Sequence, residues 1–125
     1  AVNFYKCKFT GIATRSFVTN YIISAVDLRE SLGSFINCTF QNNFSDGRSS
    51  YASSCIYASG EDSSISNMTE SQLIISDCNF SENNGTAVIL VEDQEVTMDD
   101  TNFSDHAEGS MIVCYGCVMV GENSK

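Results

Sequence analysis

Three groups of residues in this sequence could do chemistry: its cysteines, its acidic side chains and its Asn-x-Ser/Thr triplets. Six cysteines occur, Cys7, Cys38, Cys55, Cys78, Cys114 and Cys117. The close pair Cys114-x-x-Cys117 could serve as a redox pair, as half of a metal site or as a local disulfide across a turn. A thioredoxin-like role needs a helix N-terminus after a βαβ strand, a pattern the sequence lacks. A zinc site needs more ligands, and His106 is the one histidine. The reading left is a structural bridge, either within the pair or with Cys55 as partner.

The acidic side chains dominate the charge. Sixteen Asp and Glu against six Lys and Arg give a net charge of −10. Phosphate recognition needs clustered cations, so nucleic acid and anionic membrane surfaces are excluded as partners. No stretch approaches the ~20 apolar residues of a membrane helix, so no membrane insertion is expected. Among the acids, Asp77, Asp99, Asp100 and Asp105, with His106, are the candidates for polysaccharide cleavage. Asp77 and Asp100 each directly precede a Cys/Thr-Asn-Phe triplet, which gives them equivalent positions where they could face each other. Such a pair could hold Ca²⁺ or act as acid and base. No Lys or Arg accompanies them to stabilise an anionic transition state. The sequence also has no nucleophile elbow, Gly-rich phosphate loop or metal triad. No catalytic residue, resident metal or cofactor is expected.

Six Asn-x-Ser/Thr triplets occur, at Asn37, Asn43, Asn67, Asn79, Asn84 and Asn102. Eleven Asn in a chain about 22% Ser plus Thr would give about two or three such triplets by chance, and the excess points to N-linked glycans and a secretory route. The same triplets are also good turn chemistry.

The elements that must position these groups follow from Leu73-Ile74-Ile75-Ser76-Asp77-Cys78-Asn79-Phe80, which reduces to L-x-I-x-x-C-x-F. Alternation puts residues i and i+2 on one face of a strand, and the extra residue forces a bend between two short strands. The template recurs from Val2 to Phe9, from Gly33 to Phe40 and from Val96 to Phe103. Cys7, Cys38, Cys78 and Thr101 occupy its third position; Phe9, Phe40, Phe80 and Phe103 occupy its fourth. Successive spacings of 31, 40 and 23 residues mean constant strands with turns of variable length, as in a solenoid. Stacked at one ladder position, Cys7, Cys38 and Cys78 have parallel side chains that discourage bridging, so they are read as small interior hydrophobes.

Between these corners, Ser16–Ile23, Ser54–Ala58, Ala87–Val91 and Met111–Tyr115 read as further strands. Asp27–Leu32 reads as a polar turn and Gln41–Ser50 as a polar excursion. The stretch 60–71, without periodicity, is an inserted loop. The whole chain, 1–125, is one domain, all-β: a right-handed, single-stranded parallel β-helix of about four rungs with an interior Cys/Phe ladder and long polar loops. Val2 already lies in the strand pattern, so the chain reads as a processed product or an excised segment.

Cys38-Thr39-Phe40-Gln41-Asn42-Asn43 and Cys78-Asn79-Phe80-Ser81-Glu82-Asn83, with Gly85-Thr86-Ala87-Val88 and Gly109-Ser110-Met111-Ile112, resemble the FxxN and GGAI repeats of polymorphic outer-membrane proteins. More broadly they resemble the right-handed parallel β-helices of the pectate-lyase-like class. That resemblance implies three parallel sheets around a ladder of Cys, Phe and aliphatic side chains. Phe9 and Phe103 lack the following Asn, and the glycine pair is reduced to one. Function is then expected from architecture: a non-enzymatic, extracellular or cell-surface glycoprotein that self-associates end to end into a fibre or filament. The alternatives are a surface adhesin or glycan-binding module and, third, a polysaccharide lyase or hydrolase.

Overall fold

The bend demanded by the template is made by one left-handed residue in each repeat. Lys6, Asn37, Asp77 and Asp100 all have positive φ, between 48° and 55°. Asn and Asp tolerate this conformation better than most side chains, and they fill three of the four positions. The computed structural model describes residues 2–16, 24–29, 32–47, 52–60, 72–105, 110–115 and 118–122.

Among the described residues the chain is all-β. The first repeat supplies β1 (Val2–Tyr5), β2 (Lys8–Thr10), β3 (Ala13–Ser16) and β4 (Val26–Arg29). The second supplies β5 (Leu32–Ile36), β6 (Thr39–Gln41), β7 (Phe44–Gly47) and β8 (Ile56–Ser59). The third supplies β9 (Gln72–Ser76), β10 (Asn79–Ser81) and β11 (Ala87–Glu92); the fourth supplies β12 (Glu95–Asp99), β13 (Asn102–Ser104) and β14 (Ser110–Tyr115). One more strand follows, β15 (Val118–Glu122).

Three parallel sheets collect these strands in sequence order. They are β1-β5-β9-β12-β15, β2-β6-β10-β13 and β4-β8-β11-β14, with β3 and β7 as a fourth, two-stranded sheet. The register joins equivalent template positions: Phe4 with Phe35 and Ile75, and Phe40 with Phe9 and Phe80. Backbone N–H groups at the corners also find partners in neighbouring repeats. Asn37 N–H donates to the Ser76 carbonyl and Asp77 N–H to the Asp99 carbonyl. Few corner groups are therefore left to solvent.

Inward side chains from all three sheets meet in one apolar core. Phe9, Phe40, Phe80 and Phe103 stack face to face, their successive centroids 4.6, 4.7 and 4.8 Å apart. Phe4 and Phe35 form a second stack at 4.7 Å, and Phe35 meets Phe40 edge-on at 5.4 Å. Parallel in-register strands impose the stacking distance, and the edge-on contacts are the arrangement aromatic rings favour. In the third sheet Ala87, Val88, Ile89, Leu90 and Val91 are all buried. A continuous apolar run marks a parallel strand covered on both faces, and Tyr57 beside it is covered as well.

Several segments depart from the sequence reading. Val26–Arg29 is a strand, not a turn: Val26 and Leu28 alternate inward and pair with Ile56 and Ala58. The polar excursion Gln41–Ser50 contains β7, held by Ala13↔Phe44 pairing with β3. Of the strand read at Ser16–Ile23, only Ser16, the last residue of β3, is described. Gly60 is the one residue of the 60–71 loop among those described. The first sheet has a fifth strand, β15, where four repeats were expected; Val118-Met119-Val120 carries no downstream Cys-x-Phe to signal it.

The central rings give the first prediction. Phe80→Ala, fully buried between two rings, should lower unfolding free energy by about 3–5 kcal/mol. Phe9→Ala, half-buried at the end of the stack, should cost distinctly less. Urea unfolding of the two variants tests the difference.

Candidate functional site

The left-handed corner residue places the next side chain against the backbone it has just left. There the thiols of Cys7, Cys38 and Cys78 lie 3.5, 3.5 and 3.2 Å from the carbonyls of Tyr5, Ile36 and Ser76, two residues back. The Thr101 hydroxyl donates to the Asp99 carbonyl at 3.0 Å in the same way. Cys and Thr are thus interchangeable here because each offers a short donor on a small side chain. Cys38 and Cys78 also reach the carbonyls of Phe4 and Phe35 in the preceding repeat, at 3.5 and 3.3 Å. The column ties repeats together, and it begins half-exposed at Cys7.

The buried thiols are not poised as nucleophiles. Burial raises the Cys38 thiol above its ordinary value, pushes Cys78 up to about 11 and pushes Cys55 up to about 12. A thiol held protonated at neutral pH is inert as nucleophile and metal ligand. Cys7, Cys38, Cys55 and Cys78 are free, so the bridge with Cys55 drops out. Cys114 is disulfide-bonded. Cys117 lies outside the described residues.

A second corner follows the Phe of each repeat, where Gly11, Asn42, Glu82 and Asp105 have positive φ. The next residues, Asn43 and Asn83, point inward and are 1% exposed. The Asn43 side-chain amide donates to the Phe9 carbonyl at 2.9 Å, and its oxygen accepts from Ile12 N–H at 3.0 Å. Asn83 repeats the pattern one repeat on, donating to the Phe40 carbonyl at 2.9 Å and accepting from Asn43 N–H at 3.0 Å. The reading of Asn43 as a glycan acceptor is therefore corrected: in the folded chain its nitrogen is buried and already bonded. Sequence reasoning missed this ladder, although Phe40-x-x-Asn43 and Phe80-x-x-Asn83 share one spacing.

Asn37, Asn79, Asn84 and Asn102 are exposed, whereas Asn67 lies outside the described residues. Asn79 and Asn102 are neighbours on the outer side of the second sheet, their amides 3.3 Å apart. Asp77 and Asp100 sit at successive first corners, both exposed, and Asp105 stands at the second corner. Among the described residues no three His, Cys, Asp or Glu side chains gather where they could hold a metal ion. The Asp77 and Asp100 pair thus has no third ligand from these residue types; His106 lies outside the described residues.

One polar cluster carried no sequence signal. On the outer side of the third sheet the Tyr57 hydroxyl donates to Glu92 at 3.0 Å. The Arg29 guanidinium lies 5.9 Å from the Tyr57 ring centre and pairs with Asp27 at 2.9 Å. Burial first, then the bond to Glu92, pushes the Tyr57 hydroxyl up to about 12. The cluster joins adjacent strands of the third sheet.

The remaining feature is the open edge of the first repeat. Among the described residues β1, β2 and β4 each have one paired neighbour, on the side of the second repeat. Phe4, Cys7 and Phe9 are half-buried, whereas their counterparts Phe35, Cys38 and Phe40 are at most 1% exposed. Val2 and Tyr5 on that edge are 39% and 64% exposed. Strand edges with a half-covered apolar core are templates for further pairing. Comparison with protein-family models, curated proteins and solved structures returns no match.

Two predictions concern the inner ladders. Asn83→Ala should cost about 2–4 kcal/mol, because two buried backbone groups lose their partners. The exposed control Asn79→Ala should stay within about 0.5 kcal/mol. Denaturant midpoints distinguish them. The thiols predict alkaline sensitivity. Their contribution is fully present below the ordinary thiol value of 9.0 and is lost as pH rises from there toward about 11 and 12. Stability should fall by up to about 1.4 kcal/mol per pH unit for each buried thiol. Cys55→Ala should flatten that decline in unfolding measured from pH 8 to 10.5, values chosen to bracket roughly the onset of thiol ionisation.

Proposed function

We propose that the three sheets are the walls of a right-handed, single-stranded parallel β-solenoid, and that the protein is a non-enzymatic, extracellular structural module joined end to end. Right-handed crossovers are the rule for parallel strands, and short corners between sheets leave the chain little choice of path. The observation that carries the functional reading is the edge at β1, β2 and β4. Its strands offer unpaired backbone groups in register, and half-buried Phe4, Phe9 and Cys7 lie between them. A neighbouring strand layer would complete both. Repeated head-to-tail, such a contact does not close and gives a filament. Exposure of Asn37, Asn79, Asn84 and Asn102 supports the secreted, glycosylated part of the reading.

A second reading, an adhesin or glycan-binding module, draws on the outer face of the first sheet. Asn3, Ser34, Ile74 and Thr97 form one row there, and Tyr5, Ile36, Ser76 and Asp99 form another. None of these residues is itself a sequon Asn; the sequon Asn37 stands at the corner directly after Ile36.

Electron microscopy and light scattering of the protein over a range of concentrations test the leading reading. End-to-end species that lengthen with concentration are expected. Monomers that stay dispersed at high concentration, with partner-binding confined to the Tyr5 and Ile36 flank, would favour the second.

A further inference from the structure

The charges are sorted along the stacking direction. Residues 1–31 hold four Lys and Arg (Lys6, Lys8, Arg15 and Arg29) against two acids, Asp27 and Glu30. Residues 92–125 hold eight acids against one Lys, Lys125. Each repeat adds one layer to the sheets, so this sequence asymmetry becomes a basic end and an acidic end. Two of the basic residues are internally matched: Arg15 with Asp46 at 3.3 Å, and Arg29 with Asp27 at 2.9 Å. Lys6 and Lys8 are exposed beside the edge at β1, β2 and β4, and Lys6 Nζ lies over the Tyr5 ring, 5.2 Å from its centroid.

The corner columns sharpen the asymmetry. Lys6, Asn37, Asp77 and Asp100 occupy one column, and Gly11, Asn42, Glu82 and Asp105 occupy the next. In both, the acidic members stand in the third and fourth repeats. From these observations, and resting on the end-to-end reading above, we infer that the basic edge of the first repeat docks onto the acidic far end of a second copy of this chain. Charge complementarity selects head-to-tail contact and sets two basic edges against each other when they meet.

The geometry allows the contact. β15 extends the first sheet one strand beyond the other two. A copy whose β1 pairs with β15 brings Lys6 to roughly 10 Å from Asp100, two strand spacings. The flexible stem of a lysine reaches across that gap. Arranged this way, the first sheet is the continuous seam and the lysines bridge the step beside it. At the opposite polarity, β1 against β1, two edges that both carry Lys6 and Lys8 would meet.

The test uses the full chain with a zero-length carbodiimide cross-linker, which joins amines only to carboxylates in contact. Within one copy Lys6 and Asp100 are three strand spacings apart, roughly 14 Å, beyond the joint reach of their side chains. A Lys6 or Lys8 link to Asp99, Asp100 or Asp105 therefore reports contact between copies. Sedimentation velocity at ionic strengths of about 0.01 M and about 1 M reads the charge dependence, since the screening length shrinks from roughly 30 Å to roughly 3 Å. Lys6→Glu with Lys8→Glu, or Asp99→Lys with Asp100→Lys, should each weaken association by about tenfold or more. An equimolar mixture of the two variants should restore pairing. Both side-chain types already occur at left-handed corners, as Glu82 and Lys6, so the exchanges are compatible with the backbone.

Salt-weakened association with those links and the restored mixture supports the inference. Association that ignores salt and both reversals overturns the polarity while leaving end-to-end joining intact. Absence of association at both ionic strengths overturns the end-to-end reading itself.

Discussion

The structure depends on a single left-handed residue at each first corner. Where φ is positive at Lys6, Asn37, Asp77 and Asp100, the chain leaves one sheet and enters the next after two residues. That tight step brings the following Cys or Thr back against the carbonyl two residues earlier and aims the Phe beyond it into the core. In-register parallel pairing then repeats the step in each layer, so identical side chains fall on one another. Ring stacks, thiol column and Asn ladder are all consequences of this repetition. None requires long-range recognition between different residue types.

Much of this was legible because the template spans the corner. The interval of three between Ile75 and Cys78, where alternation would allow two, announces a bend, and its recurrence fixes which residues share a layer. Both observed columns, Cys7/Cys38/Cys78/Thr101 and Phe9/Phe40/Phe80/Phe103, sit at the positions that template marks. The second corner was not legible. Its left-handed residues are Gly, Asn, Glu and Asp, with no shared type to mark them. Asn43 illustrates the cost: an Asn-x-Ser triplet reads as a glycan acceptor until the fold shows that it faces inward. Val26–Arg29 misled for a related reason, since Asp27 and Arg29 gave a polar look to a strand whose Val26 and Leu28 face the core. The Tyr57 and Glu92 contact joins residues 35 apart and leaves no periodic trace.

The distribution of surfaces follows from the same repetition. Tyr57 and Leu90, on the outer side of the third sheet, are buried, exposed Asn79 and Asn102 stand on the second, and the first carries the row of Tyr5, Ile36, Ser76 and Asp99. The inner face is committed to protonated thiols, bonded amides and stacked rings. The outer face of the first sheet and the edge at β1, β2 and β4 are the surfaces on which the proposed interactions draw. On the proposed end-to-end reading, an edge that presents backbone groups at the spacing of a strand takes another strand, and sorted charge gives that contact its direction.

The central claim is that equivalent residues of successive repeats lie directly over one another in parallel sheets. Nuclear Overhauser contacts in isotope-labelled protein measure it most directly. Backbone contacts of the parallel type should connect Phe9 with Phe40, Phe40 with Phe80, and Phe80 with Phe103, together with ring contacts along the stack. Antiparallel contacts among these residues, or Phe40 and Phe80 without any mutual contact, would contradict the account.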